Sequence, residues 1–322
     1  MTGVWPLGNK ELRIGILGMT EGNGHPYSWS AMFNGYDRER MDNCPFPGIP
    51  AYLNKQPKET LGIPGAHITH IYCQNRADAE DVARCSFISN IVDNPEEMIG
   101  RVDAVICATD IGSEHVERCR PFMEADIPMF IDKPMVDNEE DLRTFVKWHK
   151  EGKHFISSSS LRYSKSMEPY FNHHYEIGKL MFICKPMCKK WETYGIHALE
   201  GVFPLLGEGF LSIQNTGTYE RNMVHITHKT GCDVHIPLSD EMYGAFGITL
   251  LIGSSGNKII TDNDSYYSFK KQMDKFVHYL RTGQEPFPFT ETIELMKLVI
   301  GGIISREQGG RKVLLSEIKE IL

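Results

Sequence analysis

The chain has 322 residues, of which 41% are hydrophobic and 24% charged. At roughly 150 residues per domain this length predicts about two domains, and the composition excludes wholesale disorder. The balance of 34 Lys+Arg against 42 Asp+Glu leaves a net charge of −8, which excludes nucleic acid as the main partner, because a phosphate backbone needs a basic face.

No apolar run reaches the length of about 18 residues that a membrane span needs, so no membrane partner is expected. Residues 1–10 hold glycine, proline and charge but no apolar centre of the kind a secretion signal carries. The eight cysteines are scattered, several in apolar runs, and read as buried free thiols of a cytoplasmic protein. No metal site is expected. Cys184 and Cys188 lack a second pair at ligand spacing, the adjacent His173 and His174 cannot share a helical face, and His225 and His228 fall on opposite faces of a strand.

In chain order, 12–18 is a short apolar run ending in glycine, which predicts a buried strand, with a helix over 27–35. Residues 36–65 carry five prolines and are expected to form a long loop, a lid or binding loop over the site. Strands are predicted at 67–73, 87–92, 104–108, 129–131 and 154–158, with helices over 78–85, 113–124 and 139–151, Ser113 being the expected N-cap. Strands alternating with helices specify a parallel sheet covered on both faces, which binds ligands at the carboxyl ends of its strands. After residue 158 the texture changes. Helices are predicted over 170–178 and 197–206. Alternating segments at 210–219, 222–229, 233–237, 245–252 and 257–261 predict an antiparallel sheet, and amphipathic helices close the chain at 267–282 and 290–309. The expected fold is α/β, with a parallel-sheet domain over 1–158 and an α+β domain with an open, mainly antiparallel sheet over 159–322.

Polar residues cluster at the predicted ligand edge. Between the first strand and helix, Gly18, Gly22 and Gly24 would let the backbone approach a pyrophosphate, with Thr20 standing where a second fingerprint glycine is usual and His25 closing the segment. The second strand ends without the acidic residue that normally meets a ribose 2′-hydroxyl. Arg76 stands nearby and suits a 2′-phosphate, a tilt toward NADP over NAD. In Ile131-Asp132-Lys133-Pro134 an ammonium sits at the sheet edge, its residue held extended by the following proline. Thr193, His197 and Glu200 would share a helix face, where a histidine can take a proton from a substrate hydroxyl. Arg162 and Tyr163 would line the cleft between the halves and bind a polyol or carboxylate.

Taken together these residues resemble the Gfo/Idh/MocA family (glucose–fructose oxidoreductase, inositol dehydrogenase and relatives) over nearly the whole chain. The segment 13–18 is similar to its opening strand. The run from Asp103 through Thr109 to His115 is similar to its strand, Thr-Pro and later histidine. Asp132-Lys133-Pro134 resembles its (E/D)KP signature, and Gly195, His197 and Glu200 resemble its G-x-H-x-x-D segment. Ser305 to Val313 resembles its closing element. The resemblance implies a Rossmann domain that binds NAD or NADP, followed by a sheet domain that carries substrate and oligomer contacts. It implies hydride transfer between nicotinamide and a sugar, cyclitol or related carbohydrate-like small molecule. Asp132, Thr109 and His115 fall among the cofactor-binding positions. Lys133 would bond the reacting hydroxyl, His197 would be the acid or base, and a homo-oligomer, dimer or tetramer, would follow. Thr193 departs from the family, which often has aspartate there; a hydroxyl lacks the charge that would raise the histidine's pKa. Two alternatives share the fold. One is a lyase or glycoside-cleaving enzyme with tightly held cofactor; the other is a non-catalytic binding or regulatory protein.

Overall fold

The computed structural model describes residues 5–171 and 176–321. The first half alternates strand and helix. β1 (Leu12–Gly18), α1 (His25–Asn34), α2 (Arg38–Asp42), α3 (Gly48–Leu53), β2 (Ala66–Cys73), α4 (Arg76–Cys85) and β3 (Asn90–Ile91) come first. β4 (Ala104–Cys107), α5 (His115–Glu124), β5 (Met129–Ile131), α6 (Glu139–Lys150) and β6 (Phe155–Ser157) follow. The six strands pair in parallel in the order β3-β2-β1-β4-β5-β6, so the order reverses at β1. β4 and β5 are buried at every position, which is why they read as unbroken apolar runs.

The second half carries β7 (Leu180–Cys184), β8 (Met187–Cys188), α7 (Ile196–Leu206), β9 (Phe210–Asn215), β10 (Arg221–His228), β11 (Asp233–Ser239), β12 (Ile248–Gly253) and β13 (Asn257–Thr261). It ends with α8 (Ser265–Thr282), α9 (Phe289–Glu307) and β14 (Val313–Leu314). The sheet order is β13-β12-β7-β11-β10-β9-β14, with β8 also on β11; β11 runs parallel to β7 and β8 and the other pairs are antiparallel. The α/β class, with a parallel sheet followed by a mainly antiparallel one, agrees with the expectation.

Several local expectations are corrected. The proline-rich stretch 36–65 is not a loose loop: it folds into α2, α3 and a short 3-10 turn at Lys58–Thr60. Met41, Ile49 and Leu53 are buried, Tyr52 donates to Ser28 Oγ, and Tyr266 of α8 donates to the Thr60 carbonyl at 2.7 Å. Apolar residues between the prolines anchor it on α1 and α8. Ser113 does not cap α5, because a 3-10 turn at Gly112–Glu114 precedes that helix. At Gly112 the chain passes so close to Val136 that a Cβ would lie 2.7 Å from its carbonyl carbon. The helix expected over 170–178 is not formed at its described ends, and His173 and His174 lie outside the described residues. β7 and β8 were not expected, since a short apolar run without alternation carries no strand period.

α8 comes late in the chain but packs on the first sheet. Phe276 meets Phe130 of β5 at 5.6 Å, and Phe130 meets Trp29 of α1 at 5.3 Å. α9 instead backs the segment that leads into α7. The Trp191 indole lies between two glycines: a Cβ on Gly195 would sit 2.5 Å from its ring, and one on Gly302 of α9 would sit 2.4 Å from Nε1. The indole N–H donates to the Val299 carbonyl at 2.9 Å. Gly302→Ala should therefore destabilise the protein by about 1–3 kcal/mol through overpacking. Urea unfolding followed by tryptophan fluorescence checks this, and an unchanged midpoint would contradict the clamp.

Candidate active site

β1, β4 and β5 are neighbours, so the segments leaving their carboxyl ends lie side by side where the strand order reverses, the usual ligand crevice of such sheets. Thr20 Oγ1 donates to Asp110 Oδ1 at 2.6 Å. Lys133 Nζ lies 3.4 Å from Asp110 Oδ2 and 3.4 Å from the Thr193 carbonyl. Its ammonium also sits 5.1 Å from the centre of the Tyr194 ring. Asp132 accepts from the Lys133 backbone N–H at 2.7 Å, from Asn23 Nδ2 at 3.0 Å, and pairs with His25 Nδ1. Lys133 is 2% exposed, a burial that by itself would lower its pKa. The charges of Asp110 and Asp132 outweigh that cost and raise its pKa. Burial would likewise raise Asp110, but Lys133 and Thr20 hold it below the usual carboxylate range.

The second half closes the site. Residues Trp191–Gly195 form a π-helical turn that runs into α7, so the regular helix face expected from Thr193 to Glu200 is interrupted. Thr193 contributes its backbone carbonyl to Lys133. His197 is buried, with its ring 4.8 Å from that of Tyr194 and 5.9 Å from Phe246. Its Nδ1 contacts Ser159 Oγ at 2.6 Å, and Ser159 Oγ also accepts from the Leu161 N–H at 3.1 Å. Burial first, then the positive charges of Lys133, His25, Lys189 and Lys185, push the His197 pKa well below its ordinary value, so its ring is neutral.

Other expected residues lie elsewhere. Arg162 is buried between Glu200 and Glu291, over the Phe287 ring at 3.8 Å, and ties α7 to α9 rather than facing the crevice. Burial would lower its pKa, but the two glutamates win and raise it. Tyr163 beside it is buried, its hydroxyl raised to about 12 by desolvation. His115 spends both ring nitrogens on backbone carbonyls, Thr109 at 2.7 Å and Met135 at 2.9 Å, and so joins the ends of β4 and β5. Arg76 is exposed and paired with Asp93 and Glu80. Of the three glycines, Gly18 and Gly24 are filled from the protein: a Cβ would meet Pro26 at 2.7 Å or Ile49 at 2.6 Å. Gly22, with φ +77°, faces open space. Its turn fits the close approach of a pyrophosphate, while Thr109, Asp110, Asp132 and Lys133 fit the nicotinamide end of a dinucleotide. A cavity of about 640 Å³ lined by Lys10, Arg13 and Asp103 lies at the opposite edge of the sheet and is not part of this site.

Ser159, Asn23, Tyr194, Lys185 and Lys189 were not anticipated. Ser159 sits in a run of four serines that reads as a linker. Tyr194 lies three residues before His197, which is the one signal that pointed to it. Among the described residues no group of three or more His, Cys, Asp or Glu side chains gathers to hold a metal, and no helix is long and apolar enough to cross a membrane. His225 pairs with Asp233 and stacks on His235, while His228 packs against Phe210 on the other face.

Residues 47–158 match the family described as "Oxidoreductase family, NAD-binding Rossmann fold", GFO_IDH_MocA. Over these residues, about a third of its length, the chain is similar to the NAD-binding Rossmann domain of the Gfo/Idh/MocA oxidoreductases. No curated protein matches it in sequence. Solved structures resemble nearly the whole chain. Myo-inositol 2-dehydrogenase from Lactobacillus plantarum has a TM-score of 0.73 and 14% identity, covering 95% of this chain and 99% of that one. Myo-inositol dehydrogenase from Lactobacillus casei, in complex with NAD(H) and myo-inositol, has a TM-score of 0.73 and 13% identity, covering 94% and 96%. An oxidoreductase from Agrobacterium radiobacter, in complex with NAD+, L-tartaric acid and magnesium, has a TM-score of 0.73 and 13% identity, covering 96% and 100%. At these identities the likeness establishes the fold.

The Asp110–Lys133 pair is buried, so removing one partner strands the other. Asp110→Asn should cost about 3–5 kcal/mol. Because the Asp110 pKa is depressed in the fold, its contribution is complete above the ordinary carboxylate range and is lost as pH falls through the depressed value. Thermal unfolding from pH 7 to pH 3 should show a shallower acid decline in Asp110→Asn than in the wild type; parallel declines would contradict the pairing.

Proposed function

We propose that the protein is an NAD(P)-dependent oxidoreductase that moves a hydride between the CH–OH group of a polyhydroxy, carbohydrate-like substrate and nicotinamide. One observation carries the reading: an ammonium, Lys133, and a neutral imidazole, His197, converge on the same Tyr194 ring at the edge where a Rossmann sheet binds its cofactor. The nicotinamide, when bound, supplies the acceptor or donor of the hydride. Lys133 spends two of its three N–H donors on Asp110 and Thr193, and the third is available to the reacting oxygen, where it stabilises developing alkoxide charge. With Nδ1–H donating to Ser159 Oγ, His197 presents an unprotonated Nε2 that takes the hydroxyl proton on oxidation and returns it on reduction. Ser159 thus stands in for the carboxylate that Thr193 does not provide, holding the ring without adding charge.

The cofactor is NAD or NADP. Arg76, exposed and able to exchange its surface partners for a 2′-phosphate, supports NADP, whereas the neighbours solved with NAD(H) and NAD+ support NAD. The division after residue 158 and a cytoplasmic location stay part of the proposal. So does a homo-oligomer, dimer or tetramer, supported by Met223, Ile252, Ile259 and Leu314 exposed on the second sheet.

Titration with NADH and NADPH, followed by nicotinamide fluorescence, tests the reading directly. Saturable binding is expected, and its absence at millimolar concentration would leave the non-catalytic alternative. Lys133→Ala and His197→Ala should each lower turnover by about 10² or more. Ser159→Ala should lower it less, by about tenfold, and change the pH profile of kcat, because it frees Nδ1 without removing the ring. Near-normal rates in Lys133→Ala or His197→Ala would refute the assigned role.

A further inference from the structure

Two lysines whose charges act on His197, Lys185 and Lys189, form no salt bridge among the described residues. Lys185, just beyond β7, is 3% exposed, and among the described residues its ammonium makes one hydrogen bond, from Nζ to the Ile248 carbonyl at 3.2 Å. Its stem lies against Gly201 of α7, where a Cβ would be 3.1 Å from Cε. Among the described residues no carboxylate forms a salt bridge with it. A carbonyl satisfies one of three N–H donors and none of the charge, and an ammonium buried on those terms is costly unless an anion joins it. Burial lowers its pKa to about 8, with Asp262 opposing only in part.

Lys189 is the second. It adopts φ 61°, a left-handed conformation uncommon outside glycine, and such strain collects at binding sites. That geometry carries its ammonium to 4.3 Å from the centre of the Tyr194 ring, the ring that Lys133 and His197 also contact. It too forms no salt bridge among the described residues. Asp110 is committed to Lys133 and Thr20, and Asp132 to Asn23, His25 and the Lys133 backbone. Asp262, whose charge acts on Lys185, accepts from the Asp264 N–H and is not within salt-bridge distance of that ammonium. In a chain of net charge −8, the charges that act on His197 are those of Lys133, His25, Lys189 and Lys185.

A neutral polyol would leave both ammonium groups without a counter-ion. We infer that the substrate is a polyhydroxy compound bearing an anionic group, a carboxylate or a phosphate, and that Lys185 and Lys189 select it. This rests on the oxidoreductase reading for its reacting centre and on the two lysines for its charge. Lys133 and His197 handle the carbinol, while Lys185 and Lys189 anchor the anion and set which carbon is presented.

The test uses the protein saturated with NAD+ or NADP+ and three probes: D-gluconate, D-sorbitol 6-phosphate and D-sorbitol. Calorimetric binding should favour one of the two anions over sorbitol by at least about tenfold, and which anion wins tells carboxylate from phosphate. Lys185→Met, nearly isosteric and apolar, and Lys189→Gln, at a partly exposed position, should each reduce that preference by about tenfold. Sorbitol binding as tightly as both anions, no binding by any probe, or a preference that survives in both variants would overturn the inference. Equal hydride transfer from sorbitol and the anions would leave the oxidoreductase reading standing without it. A lysine-dependent anion preference in a protein that binds no nicotinamide would do the reverse.

Discussion

The site is organised by one buried charge. Lys133 lies at the end of a central strand of the parallel sheet with its ammonium almost wholly out of water. Such a charge persists only if neighbours of opposite charge outweigh its desolvation. Asp110 from the next strand end supplies that charge, Thr20 from the first loop fixes Asp110, and the Thr193 carbonyl and Tyr194 ring arrive from the other half. Three separate stretches of chain are thereby gathered, directly or through Asp110, around one atom. The same ammonium helps keep His197 neutral, which under the proposed function leaves that ring able to accept a proton.

The second half reaches this point through close packing. The Trp191 indole, held between Gly195 and Gly302 and bonded to Val299, sets the start of the π-helical turn. The turn in turn sets the directions of the Thr193 carbonyl, Tyr194 and His197. Ser159 then fixes one imidazole nitrogen, and Glu200 accepts the Ser159 backbone N–H at 3.0 Å while its other oxygen pairs with Arg162. Arg162 thus acts at a distance, as part of the brace behind the histidine. α8 binds the halves further by completing the core on one face of the first sheet.

Much of this was legible in the chain. β4 and β5 announce themselves as unbroken apolar runs because both faces of a parallel sheet are covered. The polar residues after them fall at the ligand edge because the topology puts all those ends on one side. Lys133 and His197 stood out for the same reason: each follows or opens a recognisable element. The proline-rich insert misread as a loop because its anchors, Met41, Ile49 and Leu53, have no period; they pack on helices that the local pattern cannot see. Arg162 and His115 were read toward ligand because a polar side chain near an edge does not disclose whether its partner is a substrate or a glutamate far along the chain.

The strand–helix alternation of the first half, the class of the fold and the principal acid–base candidates follow from the sequence by itself, since periodicity and strand ends are local properties. The tertiary structure alone decided the partners: Asp110 for Lys133, Ser159 for His197, Glu200 and Glu291 for Arg162, and no carboxylate for Lys185 and Lys189 among the described residues. Charge pairing depends on distances between residues far apart in the chain, and the energy of a buried charge depends on what surrounds it. Neither quantity exists until the chain has folded.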